Sequence, residues 1–565
     1  MHRCRPPRKA LALSDQPGGA PLPKASILTP FRIATFRSLW TATLMSNLGG
    51  LVQAVGAGWL MATLTSSHGM VALVQSSNTL PVMVFSLIAG ALADNFNRRR
   101  IMIFAQGFMA LTSVALALCA WAGLLNPWLL LLFTFLIGCG TALFNPSWQA
   151  SMGDIVPRAE LPSAVSLNSM SFNMMRSLGP AVGGMIVAIA GAAAAFLCNA
   201  LSYIPLIWAL LRWKPAYPAA ALPPESLGSA LGAGLRYVLM SPALLRVMGR
   251  GAVFGFAATS VLALLPLVVR DSLGGTALTY GITLGAFGLG ALGGAMMNGP
   301  LRARLRNEWV VRIAFLGFAA AVAVLSASTE IALSMTALLV AGACWVLALS
   351  LFNVTVQLAT PRWVVGRALS FYQTATFGGM ATGAWIWGLI ADRSGVTVAL
   401  ALAAAMLVLG AILGLWLEVT DFSRLDLDPL DRFRAPLPRI DMVDRSGPIM
   451  VMIDYDIAAP DTDRFLALMR ARRRIRLRDG ARQWALLRDI EEPERWTESY
   501  HVPTWVDYLR HNQRRTKADA ENADQLRALI RGPDKTPRVH RLIERQTIPE
   551  TEDAVLRAST DLPDV

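Results

Sequence analysis

The feature that most constrains this chain is the recurrence of apolar runs about 20 residues long, separated by short polar turns. A run of that length matches the hydrocarbon thickness of a bilayer when it is helical. Twelve such runs can be marked, at about 38–63, 70–93, 101–122, 127–149, 162–190 and 192–212, then 244–269, 277–299, 309–328, 331–357, 365–391 and 396–417. In lipid the backbone must satisfy its own hydrogen bonds, so repeated apolar runs imply a bundle of spanning helices. The composition agrees: 54% of the 565 residues are hydrophobic and only 16% charged. The mean hydropathy is +0.47. The expected fold class is an all-α membrane protein of twelve transmembrane helices in two six-helix halves, followed by an α+β domain.

The turns alternate in charge. One set carries Arg98–Arg100, Arg158, Arg212 with Lys214, Arg302–Arg306, and Arg362 with Arg367. The other carries Ser66–Gly69, Gly123–Pro127, Arg270 with Asp271, Glu330, and Asp392 with Arg393. Cytoplasmic loops hold the excess of Lys and Arg, which puts the first set and both termini in the cytoplasm. The net charge of +14 belongs to that bias rather than to nucleic acid. Residues 1–35 form a basic, Pro/Gly-rich tail without a cleavable signal. The proline-rich stretch 213–243 reads as a cytoplasmic linker between the halves 36–212 and 244–418. Cys4, Cys119, Cys139, Cys198 and Cys344 lack paired spacing, so neither a disulfide framework nor a metal site is expected. No GxxxxGK[ST] loop occurs, so neither ATP nor any other cofactor is expected.

The halves echo each other, as in many transporter folds. At a shift of 209, Gly90 meets Gly299, Leu92 meets Leu301 and Arg37 meets Arg246. At a shift of 204, Pro157, Arg158, Ala164, Ser166, Gly179 and Gly184 meet identical residues. The turn Gly90-x-x-x-Asp94-x-x-x-Arg98-Arg99 resembles the loop signature between helices 2 and 3 of the major facilitator superfamily. Asn95 and Asn97 depart from that signature, standing where a basic residue and a glycine are usual. Asparagine tolerates a left-handed backbone, so a tight turn is expected at Asn97. Gly179-Pro180-x-x-Gly183-Gly184 is similar to that superfamily's helix 5 antiporter motif; its other reading is a face of small residues for helix packing. The stretch Asn145–Gly184 resembles a bacterial exporter subfamily that includes the enterobactin exporter and secretion effectors. The resemblance covers about residues 30–418 and implies a bacterial inner-membrane protein that exports a small organic molecule driven by proton antiport; without a P-loop, a secondary transporter is favoured over a primary pump.

The resemblance gives Asp94 a gating role, capping the eleventh helix in one state of the cycle. Arg98 is then expected to pair with Asp154, or else these charges only set topology. Arg176 sits mid-way along the fifth segment with no acid in its own helix. A charge at that depth marks a cavity by default, where it attracts an anion or answers a proton; the alternative is a structural arginine bonded to carbonyls or Asn173. Asn47, Gln53, Asn78, Asn145, Asn173 and Gln373 are candidates for the same cavity, or interhelical hydrogen bonds. Gln75, Gln149, Asn353 and Gln357 share that reading. No Asp or Glu stands mid-helix, so the sequence names no proton carrier.

After a charged linker, 419–446, residues 447–545 change character, and 546–565 form a closing tail. Ile449, Val451, Ile453, Tyr455 and Ile457 alternate as in a strand. A helix over about 461–478, two alternating strands, helices at about 504–515 and 519–531, and a strand near Arg538 follow. That β-α-β-β-α order is ferredoxin-like. It resembles the small α/β barrel of antibiotic-biosynthesis monooxygenases, which implies a homodimer through this domain. Phe465, Trp484, Trp496, Trp505 and Tyr508 are its core candidates. Tyr500 and His501 read as structural, and no catalytic residue is assigned. The run Arg470–Arg478 suits either anionic lipid heads or a solvated helix end. Two rivals to an exporter stand: an uptake carrier on the same fold, and a membrane-anchored sensor or enzyme.

Overall fold

A computed structural model describes residues 28–157, 160–215, 227–419, 445–531 and 536–544, with short pieces of 427–443; the side chains at 91, 93–95, 162, 173 and 227 lie outside the description. The first part is helical: α1 (Ala34–Leu64), α2 (His68–Asn95), α3 (Arg98–Trp121), α4 (Pro127–Ile155) and α5 (Leu161–Arg212). Then come α6 (Leu227–Leu239), α7 (Pro242–Leu267), α8 (Ala277–Arg304), α9 (Asn307–Ala327), α10 (Ile331–Leu358), α11 (Val365–Ser394) and α12 (Val396–Leu413). Caps close the helices where the sequence supplies them. Ser67, Asn97 and Asn126 each accept a backbone N–H from the first turn of α2, α3 and α4.

Nine helices among the described residues are long and apolar enough to cross a membrane. That tally takes α5 once. Its 52 residues would extend about 75 Å at the helical rise, more than twice the hydrocarbon core. Gly191 breaks it, with φ 78° and ψ 173°, a conformation that only glycine adopts readily. Helices α1 and α11 have 31 and 30 residues. They reach spanning length but fall outside the nine, since both are interrupted by Ser, Thr and Gln, and α1 by Asn47 as well.

Three expectations need correction. The linker 213–243 contains α6, a helix of 13 residues. Asn97 is not left-handed: at φ −64° and ψ 105° it is extended, and its side chain accepts the N–H of Arg100. The capping bond, rather than a glycine-like turn, is what asparagine supplies there. The third concerns Arg470–Arg478, taken up below.

The C-terminal part forms its own core. Strands β1 (Ile449–Asp456), β2 (Arg482–Arg488), β3 (Arg495–Val502) and β4 (Arg538–Ile543) make one sheet in the order β2-β3-β1-β4. All neighbours are antiparallel. Helices α13 (Thr462–Asp479), α14 (Trp505–Gln513) and α15 (Lys517–Leu529) complete it. Ile449, Val451, Ile453 and Tyr455 alternate inward along β1 and pack with Phe465, Trp496 and Tyr508, while Trp484 and Trp505 flank them.

Arginines of α13 serve this core instead of forming a uniformly solvated end. Arg472 and Arg476 both donate to Glu498, at 2.8 and 3.0 Å, and Arg478 pairs with Asp479 and Asp519. Arg470, Arg473 and Arg474 stay exposed. Helix periodicity decides this, because residues four apart share a face. The domain rests on the helical part: Arg514 stacks on Trp363 at 4.2 Å, Arg478 on Tyr237 at 5.5 Å, and Arg362 pairs with Asp428 at 3.1 Å.

Candidate transport path and the joints between the halves

The two helical halves meet mainly along α2 with α11 and α5 with α8. Small residues make the second contact possible. A Cβ placed on Gly184 would lie 2.7 Å from the Ala277 carbonyl oxygen and 2.8 Å from the Gly281 Cα. One on Gly281 would lie 2.5 Å from the Pro180 carbonyl oxygen. Gly179 and Gly183 instead face Leu51 and Val52 of α1. The Gly179–Gly184 motif therefore faces two ways, toward its own half and toward the other. Along the first contact, Ser76 donates to the Ala381 carbonyl at 2.8 Å, Ser86 and Thr374 lie 2.9 Å apart, and a Cβ on Gly90 would sit 3.1 Å from Ser370 Oγ.

At the end of the bundle that carries His68, charge joins the halves. The Asp392 carboxylate, at the end of α11, accepts the backbone N–H of His68 at 2.6 Å, that of Gly69 at 3.0 Å and the Ser67 hydroxyl at 3.2 Å. An anion is thus set against the positive N-terminus of α2. Arg270, just past α7, donates to the Ala62 and Thr65 carbonyls at the end of α1 and holds Asp271 at 2.6 Å. A cation is set against a helix C-terminus. His68 lies 3.8 Å from both Asp271 and Asp392. Sequence reasoning saw these charges only as loop markers. Nothing in the periodicity says that two turns 122 residues apart both clasp the α1–α2 hairpin.

At the opposite end, Arg98 donates to Asp154 at 2.9 Å and to the Ala150 carbonyl at 3.0 Å. Arg99 donates to the Leu210 and Leu211 carbonyls at 2.8 and 2.7 Å. Both arginines tie together helices of the first half. The Asp94 side chain lies outside the described residues, as does that of Asn173.

Arg176 projects toward the second half. Its guanidinium lies 5.6 Å from the Phe287 ring of α8 and 5.5 Å from the Trp345 ring of α10, close enough for cation–π attraction. Among the described residues it has no carboxylate at ion-pair distance. Asn78 lines a cavity of about 60 Å³ with Gln75, Pro266 and Tyr280, between α1, α2, α7 and α8. Asn47 and Gln373 are half-buried and Asn145 is exposed. Gln357 donates to Asn353 at 2.6 Å within α10. Gln53 is drawn elsewhere: its carbonyl accepts from Ser113 at 3.0 Å and from Asn199, which also donates to Tyr203 at 3.1 Å. That closed network links α1, α3 and α5 and serves the interior of one half.

A second charged cluster escaped the sequence reading. Arg250 of α7, fully buried, donates to Glu308 at 2.5 Å; Glu308 also holds Arg312 at 2.8 Å and the Val419 N–H at 2.9 Å. The Glu308–Arg312 spacing of four was legible as a helix-face pair, but its burial was not.

Residues 25–547 match the transmembrane secretion effector family of major facilitator transporters. The chain belongs to that family. Over 391 residues it is 25% identical to the multidrug efflux pump Tap of Mycolicibacterium fortuitum, covering 66% of this chain and 93% of Tap. Over 413 residues it is 26% identical to the enterobactin exporter EntS of Escherichia coli, covering 72% and 94%. Among solved structures, an auto-inhibited POT family peptide transporter aligns with TM-score 0.57 at 14% identity over 71% of this chain and 98% of that one. A bacterial homologue of the lysosomal transporter Spinster aligns with TM-score 0.54 at 14% identity, over 69% and 95%. These likenesses carry the fold. The protein is a multi-pass membrane transporter of the major facilitator type, with efflux pumps among its relatives.

Proposed function

We propose that this protein exports a small organic molecule, drug-, siderophore- or secondary-metabolite-like, through twelve spanning helices that alternate access and exchange it for protons. The observation that carries the reading is the pair of joints α2/α11 and α5/α8, where the two helical halves meet over small residues and are clasped at one end by Asp392 and Arg270. Such a joint can open at one end and close at the other without unfolding either half. The twelve spans are the nine helices with α5 divided at Gly191, plus α1 and α11. The positive-inside rule puts Arg98–Arg100 and both termini in the cytoplasm and the Asp392 clasp outside. Gly90, Asp94, Arg98, Arg99 and Asp154 form the inner gate, and Gly179, Pro180, Gly183 and Gly184 the sliding face. Arg176, Asn47, Asn78, Asn145, Asn173 and Gln373 contribute to the substrate path, Arg176 offering a cation between the halves. The C-terminal domain lies in the cytoplasm, where it regulates or dimerises the transporter.

Export is supported by the efflux relatives. The test is a deletion strain in which intracellular and secreted small molecules are compared by mass spectrometry. Accumulation inside the cells is expected, reversed by the intact gene. Unchanged secretion with impaired uptake overturns the direction. Topology is tested separately by a reporter fused after Arg100, which should be cytoplasmic; an external signal refutes the orientation.

A further inference from the structure

The C-terminal domain holds a cleft that the transport reading does not use. It is a cavity of about 620 Å³ between α13, α14, α15 and Phe433, joined through shared walls to a second of about 180 Å³ against the sheet. Arg472, Arg476, Arg515, Arg527 and Arg541 line both. Their compensation is incomplete. Arg472 and Arg476 share the single carboxylate of Glu498. Arg527 has Asp524 at 3.6 Å. Arg515 donates to the Asn512 side-chain oxygen at 2.7 Å and Arg541 to the Tyr508 hydroxyl at 2.6 Å. Among the described residues neither has a carboxylate at ion-pair distance.

The independent observation is Arg476. It is 2% exposed, yet among the described residues its Nη2 has no hydrogen-bond acceptor. A buried guanidinium N–H left unmatched is costly, and it is the kind of orphan a ligand oxygen satisfies. Burial and the neighbouring Arg476 lower Arg515 to about 10, the direction expected of cations crowded without a counter-ion. The smaller cavity adds an apolar floor: Phe433, Tyr508 and Ile530. A volume of that size suits a whole small molecule rather than a bare oxyanion.

We propose that this cleft binds a small soluble organic anion, a carboxylate or phosphate on an apolar body, with its acid group on Arg476 and Arg515 and its body against Phe433 and Tyr508. Arginine suits the task because its planar N–H pairs match two acid oxygens. The site sits one residue from Arg514, which stacks on Trp363 in the loop between α10 and α11.

The experiment uses the full chain in phosphatidylcholine nanodiscs and isothermal titration calorimetry with 2-naphthoate, inorganic phosphate and the neutral 2-naphthylmethanol. 2-Naphthoate should bind one per chain and at least about tenfold more tightly than either other probe. Arg515→Gln and Arg541→Gln should each weaken it about tenfold or more, as the loss of a charged hydrogen bond does, while Arg515→Lys retains part. Arg176→Ala, in the membrane part, should leave this binding unchanged. Hydrogen exchange of β1 and β3 shows that each variant is folded; a variant that fails this check is replaced by the other. Absent binding, binding indifferent to the ligand's charge, or binding that both glutamine variants leave intact overturns the proposal. A lipid headgroup offers the same acid chemistry: loss of 2-naphthoate binding in phosphatidylglycerol nanodiscs assigns the cleft to lipid and overturns the soluble ligand.

Discussion

The Asp392 clasp gives the sharpest test of how the halves move. Three donors from the α1–α2 hairpin converge on one carboxylate, two of them backbone N–H groups at 2.6 and 3.0 Å. Hydrogen bonds to a charged group contribute about 1.5–3 kcal/mol each when shielded from water, and a charge at a helix end about 0.3–1 kcal/mol. The Asp392 side chain is 34% exposed, so water competes and the lower ends apply. The amide that Asp392→Asn introduces would keep one acceptor oxygen and lose the charge. A net loss of about 2 kcal/mol for Asp392→Asn shifts the balance from closed to open at this end by about 30-fold. Spin labels at Leu124→Cys and Thr329→Cys, in a chain without its native cysteines, report that end by electron–electron double resonance. Both positions are exposed turns of opposite halves. The variant should gain a longer-distance population, and Asp392→Ala should gain more. An unchanged distance distribution in a folded, membrane-inserted variant would refute the idea that this carboxylate holds the halves together.

Gly184→Val places a branched side chain where even a Cβ meets backbone at 2.7 and 2.8 Å; the protein should insert normally, yet transport, measured as efflux from loaded cells, should fall at least about tenfold. Arg176→Ala should abolish transport and Arg176→Lys retain part of it, with equal protein in the membrane; loss of the protein itself in both variants points to a structural arginine. For the C-terminal domain, burial alone would raise Glu498, but Arg476 and Arg472 more than offset it and hold it well below the usual carboxylate range. Glu498→Gln leaves buried Arg476 and half-buried Arg472 uncompensated and should cost about 3–5 kcal/mol, read as lost hydrogen-exchange protection of β1 and β3 in the full chain. Since the folded pKa lies below the unfolded one, the contribution of this group is complete above about pH 4.3 and is lost only as the pH falls through the depressed folded value. Buried His511, held well below the usual imidazole range by burial and by Arg476, costs stability below about pH 6.5 on its own; the difference in protection between wild type and Glu498→Gln should therefore stay constant from pH 7 to 5, and a difference that vanishes over that range would contradict the pairing.

By itself the sequence determined the membrane class, because apolar runs of spanning length have no other low-energy placement. It also carried the division at Gly191, the alternation of charge between turns, and the βα pattern after residue 447, all of which are local and periodic. The motif Gly179–Gly184 was legible as small residues, and Arg98 with Asp154 as a pair, since the family resemblance brings their loops together. Tertiary structure decided what periodicity does not encode: which distant turn a charge reaches and how deep it lies. Asp392 and Arg270 were outer-loop charges in the sequence; the fold sets them on opposite helix ends of one hairpin, where each meets the dipole it favours. Gln53 was one polar residue among several until packing gave it Ser113 and Asn199. Arg472 and Arg476 stood in a basic run suited to lipid or water, and only the strand carrying Glu498 turned them inward. In each case the chemistry of the side chain was fixed, but its partner was chosen by chain segments tens to hundreds of residues away, through contacts that exist only once the helices and sheet have packed.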